Sequence, residues 1–309
     1  MSTAGKPPVV LLAGPTGVGK TACALALAPL LSAEVVNADS MQVYRRMDIG
    51  TAKPTPKERA LVPHHVLDVA DPDEHFDAAR YAALAREAVS GIHRRGRLPL
   101  VVGGTGLYMK ALTRGLCRSP AIPPEIRRRL REEAEAFGLP ALFEELRRAD
   151  PETAARLHPN DRQRILRALE VFRASGTPLS ALQAAHRFAE SPYHVVKAAL
   201  DRPREELHAR IEARVAAMLE AGFREEVAGL IEAGYTCRLR PMQSLGYKEM
   251  CAHLAGALSR DEAARLIVRE TRRYARRQLT WFRGDPEFTW FRADDHAGLL
   301  AHLRARLAL

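Results

Sequence analysis

Residues 14–21 read GPTGVGKT and follow directly on the apolar run PPVVLLA (7–13). The octet meets G-x-x-x-x-G-K-[ST] at every fixed position, which is the spacing of a phosphate-binding loop between a strand and a helix. Gly14, Pro15, Thr16, Gly17, Val18 and Gly19 form a turn whose glycines let backbone N–H groups face phosphate oxygens, where a Cβ would crowd them. The helix that follows adds the positive end of its dipole. Lys20 is a point charge for terminal phosphate oxygens, and Thr21 offers a hydroxyl to Mg²⁺. The loop holds phosphates; whether they are transferred, hydrolysed or discarded must come from elsewhere in the chain.

Working outward, Val9–Ala13 reads as a buried strand and Lys20–Leu31 as a helix. EVVNAD (34–39) reads as a second strand ending on a carboxylate, and HVLDV (65–69) as a third. FDAARYAALAREAVSGIHRR (76–95) has helical periodicity, with basic residues where the helix dipole favours them. LPLVV (98–102) is a buried strand running into GGTGLYMKAL. Strands alternating with helices predict a parallel α/β sheet whose ligands lie at the C-terminal ends of the strands. The pattern changes from Pro120 to Ala189, where three long segments read as helices and none as a strand. A strand returns at YHVVKAAL (193–200), a long helix follows from Pro203, and EFTWF (287–291) is the last expected strand. The expected architecture is α/β: a P-loop NTPase-like parallel-sheet core, residues 1–118 and 191–309, interrupted by an all-helical insertion over 119–190.

Bulk composition narrows the class. The chain has 309 residues, 47% hydrophobic and 27% charged, ordinary values for a water-soluble fold. VVLLA is too short for a membrane helix and no signal-peptide layout surrounds it, so the expectation is a cytoplasmic protein without a membrane partner. Cys23, Cys117, Cys237 and Cys251 are scattered with no C-x-x-C pair, so free thiols in a reducing compartment and no structural zinc are expected. The formal net charge is +10. Residues 265–283, RLIVRETRRYARRQLTWFR, hold seven arginines against one glutamate, which points to a phosphate-rich partner. The insertion is far more balanced, with 12 basic and 10 acidic residues over 118–173. Nothing indicates an obligate protein partner, and a monomer is the default.

A hydrolytic NTPase needs an acid after a neighbouring strand to hold metal and polarise water. LPLVV is instead followed by Gly103-Gly104-Thr105-Gly106, and Thr105 can donate a hydrogen bond but is no base. The carboxylate at the end of the second strand, Asp39, should face the phosphates and could deprotonate an attacking hydroxyl or amine; the alternative is a turn cap. Arg210 and Arg214 share one face of the helix after Pro203 while Ile211, Val215 and Met218 form its buried stripe. That pair can clamp a diphosphate, or be a solvated face paired with Glu206. Adjacent His64 and His65 point apart on an extended segment without a third ligand, so no metal is expected there. Trp281 and Phe282 beside Arg283 read as core packing of a C-terminal helix, with a stacking platform as the alternative.

Five stretches in order, VVNADSMQVYRRMDIGTAKP, PHHVLD, LVVGGTGLYMKAL, LHPNDRQRILRALEVF and RQLTWFRG, resemble the tRNA dimethylallyltransferase (tRNA isopentenyltransferase) family, in its bacterial form. The likeness runs from the phosphate loop to about Gly284. It implies transfer of a dimethylallyl group from dimethylallyl diphosphate to N6 of the adenine beside the anticodon, with diphosphate as the leaving group, departing with the cofactor Mg²⁺. On that reading the loop cradles a leaving group, with Lys20 and Arg214 stabilising its growing charge, Arg210 assisting, Asp39 as base and Thr105 donating near the reacting centre. The resemblance further implies tRNA contacts at Asp39, Ser40, Met41 and Gln42, at Thr105, and at Arg127, Gln163, Arg164, Ile165, Leu166 and Arg167 of the insertion. Tyr247 and Lys248 join them as candidates for anticodon-loop contact, the tyrosine by stacking on a base. A small-molecule kinase would share the fold and loop, and an adenylate isopentenyltransferase would share the chemistry on a free nucleotide.

Overall fold

The computed structural model describes residues 5–117, 120–186 and 190–308. Six strands, β1 (Pro8–Ala13), β2 (Ala33–Asn37), β3 (His64–His65), β4 (Leu98–Val102), β5 (His194–Asp201) and β6 (Thr289–Arg292), form one sheet in the order β3-β2-β4-β1-β5-β6. Every pairing is parallel, with Val10 opposite Leu100 on one side and Val196 on the other. Parallel sheets are covered on both faces, so their central strands are apolar at every position. Here Val9, Leu11 and Ala13 pack into one core layer while Val10 and Leu12 pack into the other. That double burial explains why VVLLA reads as a continuous run and not an alternating one.

Around the sheet lie helices α1 (Lys20–Leu27), α2 (Pro56–Leu61), α3 (Ala78–Arg94) and α4 (Gly106–Arg114). Then come α5 (Pro124–Ala136), α6 (Gly138–Ala149), α7 (Pro151–Arg156), α8 (Arg162–Ser175) and α9 (Leu179–His186). The chain ends with α10 (Arg204–Glu220), α11 (Phe223–Glu232), α12 (Tyr247–Leu254), α13 (Arg260–Arg283) and α14 (His296–Leu307). Two compact units result: one joins the chain up to Thr113 to the chain from Ser191 onward, and the other runs from Arg114 to Glu190. The expected boundary between 118 and 119 lies outside the described residues.

Several expected boundaries shift. The first helix stops at Leu27, because Pro29 opens a separate 3-10 turn. The third strand is two residues long: Val66 and Asp68 adopt φ of 61° and 55°, which no ladder tolerates. β6 begins at Thr289, two residues later than the sequence indicated.

The helical unit packs its own core from Leu130, Ala134, Leu142, Leu146, Ile165 and Leu169. Ile165 is fully buried there, which removes it from the tRNA-contact set: it lies on the apolar stripe of α8 and could reach RNA only by unpacking. Buried Asp150 accepts from the Thr153 N–H at 3.0 Å and the Ser180 hydroxyl at 2.6 Å, tying α7 to α9.

Candidate functional site

The phosphate loop leaves β1 at Ala13 and enters α1 at Lys20. Gly19 caps the helix at φ 111°, a conformation open to glycine and costly for other residues. The N–H groups of Gly19, Lys20 and Thr21 head α1 without an acceptor among the described residues, as the first turn of a helix leaves them. Lys20 Nζ donates to the carbonyls of Gly14 and Pro15, 2.8 Å each, so its ammonium is held over the mouth of the loop. Burial pushes its pKa down to about 8; the Asp39 carboxylate works against that shift and the Arg214 guanidinium adds to it. Lys20, Asp39 and Arg214 therefore share one electrostatic neighbourhood.

Asp39 lies two residues beyond β2, on a half-buried turn. Its Oδ1 accepts the N–H of Met41 at 2.8 Å, so the turn-capping role is present and leaves the other carboxylate oxygen available. Asn37 donates from its side chain to the carbonyls of Asp39 (3.2 Å) and Val66 (3.0 Å) and fixes the turn from behind. Thr105 sits opposite: its N–H donates to the Ala38 carbonyl at 3.0 Å, and its hydroxyl accepts the Ser40 N–H at 3.0 Å. The turns after β2 and β4 are thus bonded together beside the phosphate loop. The Tyr274 hydroxyl of α13 lies beside Thr105 and Gln278, and burial pushes its pKa upward.

Gln278 is the site residue that sequence reading missed. It is 5% exposed; its Oε1 accepts the N–H of Thr16 at 2.8 Å, and its Nε2 donates to the Gly104 carbonyl at 2.9 Å. One side chain therefore braces the phosphate loop against the GGTG turn. A Cβ at 104 would run into the Gln278 amide nitrogen and push it from its place, so glycine there keeps the brace seated. The signal was in the periodicity: Ile267, Thr271, Ala275, Gln278 and Phe282 form the buried stripe of α13, and an amide on such a stripe must find partners. Gln278→Leu is expected to lower stability by about 2 kcal/mol, since the buried Gly104 carbonyl and the part-buried Thr16 N–H lose their partners. It should also weaken diphosphate binding, whereas Gln278→Glu, which keeps the acceptor for Thr16, should bind better than the leucine variant. Thermal unfolding and calorimetry with diphosphate check this, and equal binding by all three proteins would refute the brace.

Arg210 Nε donates to the Gly17 carbonyl at 2.9 Å, while Glu206 pairs instead with Arg202 at 3.3 Å. Arg210 thus reaches the loop while its face stays exposed to solvent, and of the solvated-face alternative only the pairing with Glu206 is missing among the described residues. Arg214 is half-buried, and its Nη2 donates to the Thr51 carbonyl at 3.4 Å. The same carbonyl accepts from Gln42 Nε2 at 3.1 Å, and Gln42 also reaches the Ala52 carbonyl at 3.1 Å. The 41–53 segment is stiffened from two directions. Lys53, whose side chain is 1% exposed, donates to the Tyr44 carbonyl, Asp48 and Asp68. Glu226 accepts the N–H groups of Asp48, Ile49 and Gly50 and the Tyr247 hydroxyl, at 2.6–3.1 Å.

That last bond corrects the reading of Tyr247. The ring is 1% exposed and packed edge-on against Phe223, with its hydroxyl spent on Glu226, so it cannot stack on a base. Lys248 beside it is half-exposed, 3.5 Å from Glu249. Phe282 is in the core, but Trp281, expected there too, is 46% exposed and lies against Gly106. In the helical unit Gln163 and Arg164 are exposed, Leu166 is partly packed, and Arg127 and Arg167 both approach Glu170, at 3.8 and 3.2 Å.

His65 bonds to buried Glu34 at 2.7 Å and His64 to the Val62 carbonyl at 2.7 Å, pointing apart as expected. Arg95 also grips Glu34 and, with His65, holds that carboxyl down at about 2, a structural knot away from the phosphate loop. The cysteine expectation is overturned for one pair: Cys237 and Cys251 form a disulfide, while Cys23 and Cys117 are free. Their 14-residue separation joins a loop to α12, a pairing that a search for local C-x-x-C spacing does not see.

Comparison with known proteins agrees with this geometry. The sequence matches the IPP transferase family over residues 42–285 and the isopentenyl transferase family over residues 7–68. It is 60% identical to a tRNA dimethylallyltransferase of Syntrophobacter fumaroxidans, covering 96% of this chain and 86% of the relative. It is 53% identical to a tRNA dimethylallyltransferase of Geobacter metallireducens, covering 91% of each. Among solved structures, the full-length tRNA isopentenylpyrophosphate transferase of Bacillus halodurans superposes with a TM-score of 0.72 at 39% identity, over 98% of this chain and 97% of that one. A eukaryotic dimethylallyltransferase captured acting on tRNA gives 0.79 at 30% identity, over 97% of this chain and 77% of that one.

Proposed function

Because this chain belongs to the tRNA dimethylallyltransferase (IPP transferase) family, we propose that it transfers a dimethylallyl group from dimethylallyl diphosphate to N6 of the adenine 3′ of the anticodon in tRNA. The observation that carries the mechanism is the convergence of Lys20, Asp39 and Arg214 at one end of the sheet, joined there by Thr105. No acid follows β4, so the site is built to release a phosphate group and not to activate water.

In the reaction the allylic C–O bond breaks, its electron pair leaves on the diphosphate, and a C–N bond forms to N6. Lys20, Arg214, Arg210 and the N–H groups at the start of α1 stabilise the charge growing on the diphosphate. Asp39 takes the N6 proton that the new bond expels. The Asp39-Ser40-Met41-Gln42 turn, locked by Thr105 and by the bonds of Gln42 to 51–52, presents a rigid edge to the adenine. An anticodon-loop base can be unstacked into such a site at modest cost.

Among the described residues no three His, Cys, Asp or Glu groups are placed to cage a metal ion. A Mg²⁺ ion would be held by the Thr21 hydroxyl, diphosphate oxygens and water, the oxygen-rich and partly hydrated set this ion favours. When bound it would neutralise charge on the leaving group. No described helix is long and apolar enough to cross a membrane, and the proposed place of work is the cytoplasm, with the tRNA.

The test is a transfer assay with radiolabelled dimethylallyl diphosphate, offering an adenine-bearing anticodon stem-loop and free AMP, with ATP hydrolysis followed in parallel. Label in the stem-loop alone is expected. Label in AMP alone would make this a free-nucleotide enzyme, and ATP consumption without label would make it a kinase.

A further inference from the structure

Helices α10 and α13 enclose an open groove of about 950 Å³ that the reaction described above does not use. Eight arginines line it against two acids, Asp201 and Glu212. On α13, Arg265, Arg269, Arg272 and Arg276 are spaced four, three and four apart, which puts them on one face over about 16 Å of helix. Arg202 and Arg204 face them from the other wall. Some of this charge is answered within the chain: Arg272 pairs with Glu212, Arg283 with Asp201, and Arg269 with Glu270. Arg204, Arg265 and Arg276 have no ion-pair partner among the described residues.

Such a face is not a simple solvated one. On an ordinary exposed helix like charges fan outward into water, whereas here two walls bring them toward one space above an apolar floor of Leu207, Val268 and Leu279. Like charges at i, i+4 repel, and Glu270 and Glu212 answer only one arginine of each such pair, which leaves Arg265 and Arg276 open to an anion from outside the chain. His208 within the groove registers the same field: burial first, then Arg272 and Arg204, push its pKa down.

We propose that this groove is a second RNA-contact surface, which holds the phosphodiester backbone of the tRNA substrate apart from the phosphate loop. The inference rests on the tRNA reading above. The length of the stripe decides between ligands, because about 16 Å of spaced guanidiniums matches a run of successive phosphates and far exceeds one diphosphate. Arg202 marks the division: its Nε is bonded to the Val18 carbonyl at 2.9 Å, on the phosphate loop, while its side chain also lines the groove.

The test is the double variant Arg265→Ala/Arg276→Ala in the full chain, with Arg265→Lys/Arg276→Lys as the charge-keeping control. Binding of full-length tRNA is measured over a series of salt concentrations, and KM for dimethylallyl diphosphate at saturating tRNA. The alanine variant should bind tRNA about ten-fold more weakly at 0.1 M salt, with log K against log salt shallower by about two. The lysine variant should regain most of both, and the diphosphate KM should stay put. Unchanged tRNA binding and slope would overturn the proposal, and so would a rise in the diphosphate KM in their place. A wild-type chain that failed to modify tRNA would instead sink the underlying functional reading, before any variant is made.

Discussion

Asp39→Asn is expected to slow prenyl transfer by about 10²- to 10⁴-fold while changing tRNA affinity less than about three-fold. The substitution is chosen because it separates two roles of the same side chain. Asparagine keeps an Oδ1 that can accept the Met41 N–H, so the turn between β2 and the Ser40-Met41-Gln42 edge should survive. It has no basicity, so the proton leaving N6 loses its acceptor. Single-turnover rates, read beside filter binding of tRNA, distinguish the outcomes. An unchanged rate would remove Asp39 as base, and a fall in affinity as large as the fall in rate would reduce it to a turn cap.

Lys20→Met should lower kcat/KM for dimethylallyl diphosphate by about 10²- to 10³-fold, the usual cost of deleting one preorganised charge from a site where negative charge develops. Lys20 also makes a pH prediction whose sign can be fixed. Burial brings its pKa down to about 8, so below that pH the free protein carries the ammonium, and above it the cation is progressively lost. Therefore kcat/KM for the diphosphate should fall as pH rises through about 8. The bound diphosphate favours the charged form, so kcat should hold to higher pH. Lys20→Arg, which keeps its charge throughout, should lose that descending limb. Identical alkaline limbs in wild type and arginine variant would assign the titration to another group.

Those two residues were legible because their information is local. GPTGVGKT is contiguous, and Asp39 stands two residues beyond the strand that carries it, so strand-end geometry alone pointed it toward the phosphates. Burial was read less well than chemistry. Ile165 belongs to the apolar stripe of RQRILRALEVF and its loss to the core was available from periodicity. Tyr247 was not: an aromatic next to glycine and lysine looks exposed, and the partners that enclose it, among them Phe223, Glu226 and Gly50, come from distant parts of the chain. Lys53 and Glu226 organise the 41–53 segment through partners that no spacing rule links. The disulfide belongs with them, since Cys237 and Cys251 meet only once α12 has packed.

The bond from Gln278 to the Thr16 N–H spans 262 residues. Translation runs from the loop toward its brace, so the phosphate loop leaves the ribosome 262 residues ahead of the side chain that fixes it. β6, the outermost strand next to β5, comes later still. A nascent or prematurely ended chain thus carries the whole anion-binding motif without the side chain that fixes it against the GGTG turn. Until residue 278 is in place, the loop and the GGTG turn lack the side chain that bonds to both, so the rigidity of this anion-binding motif depends on a part of the chain made long after the motif itself.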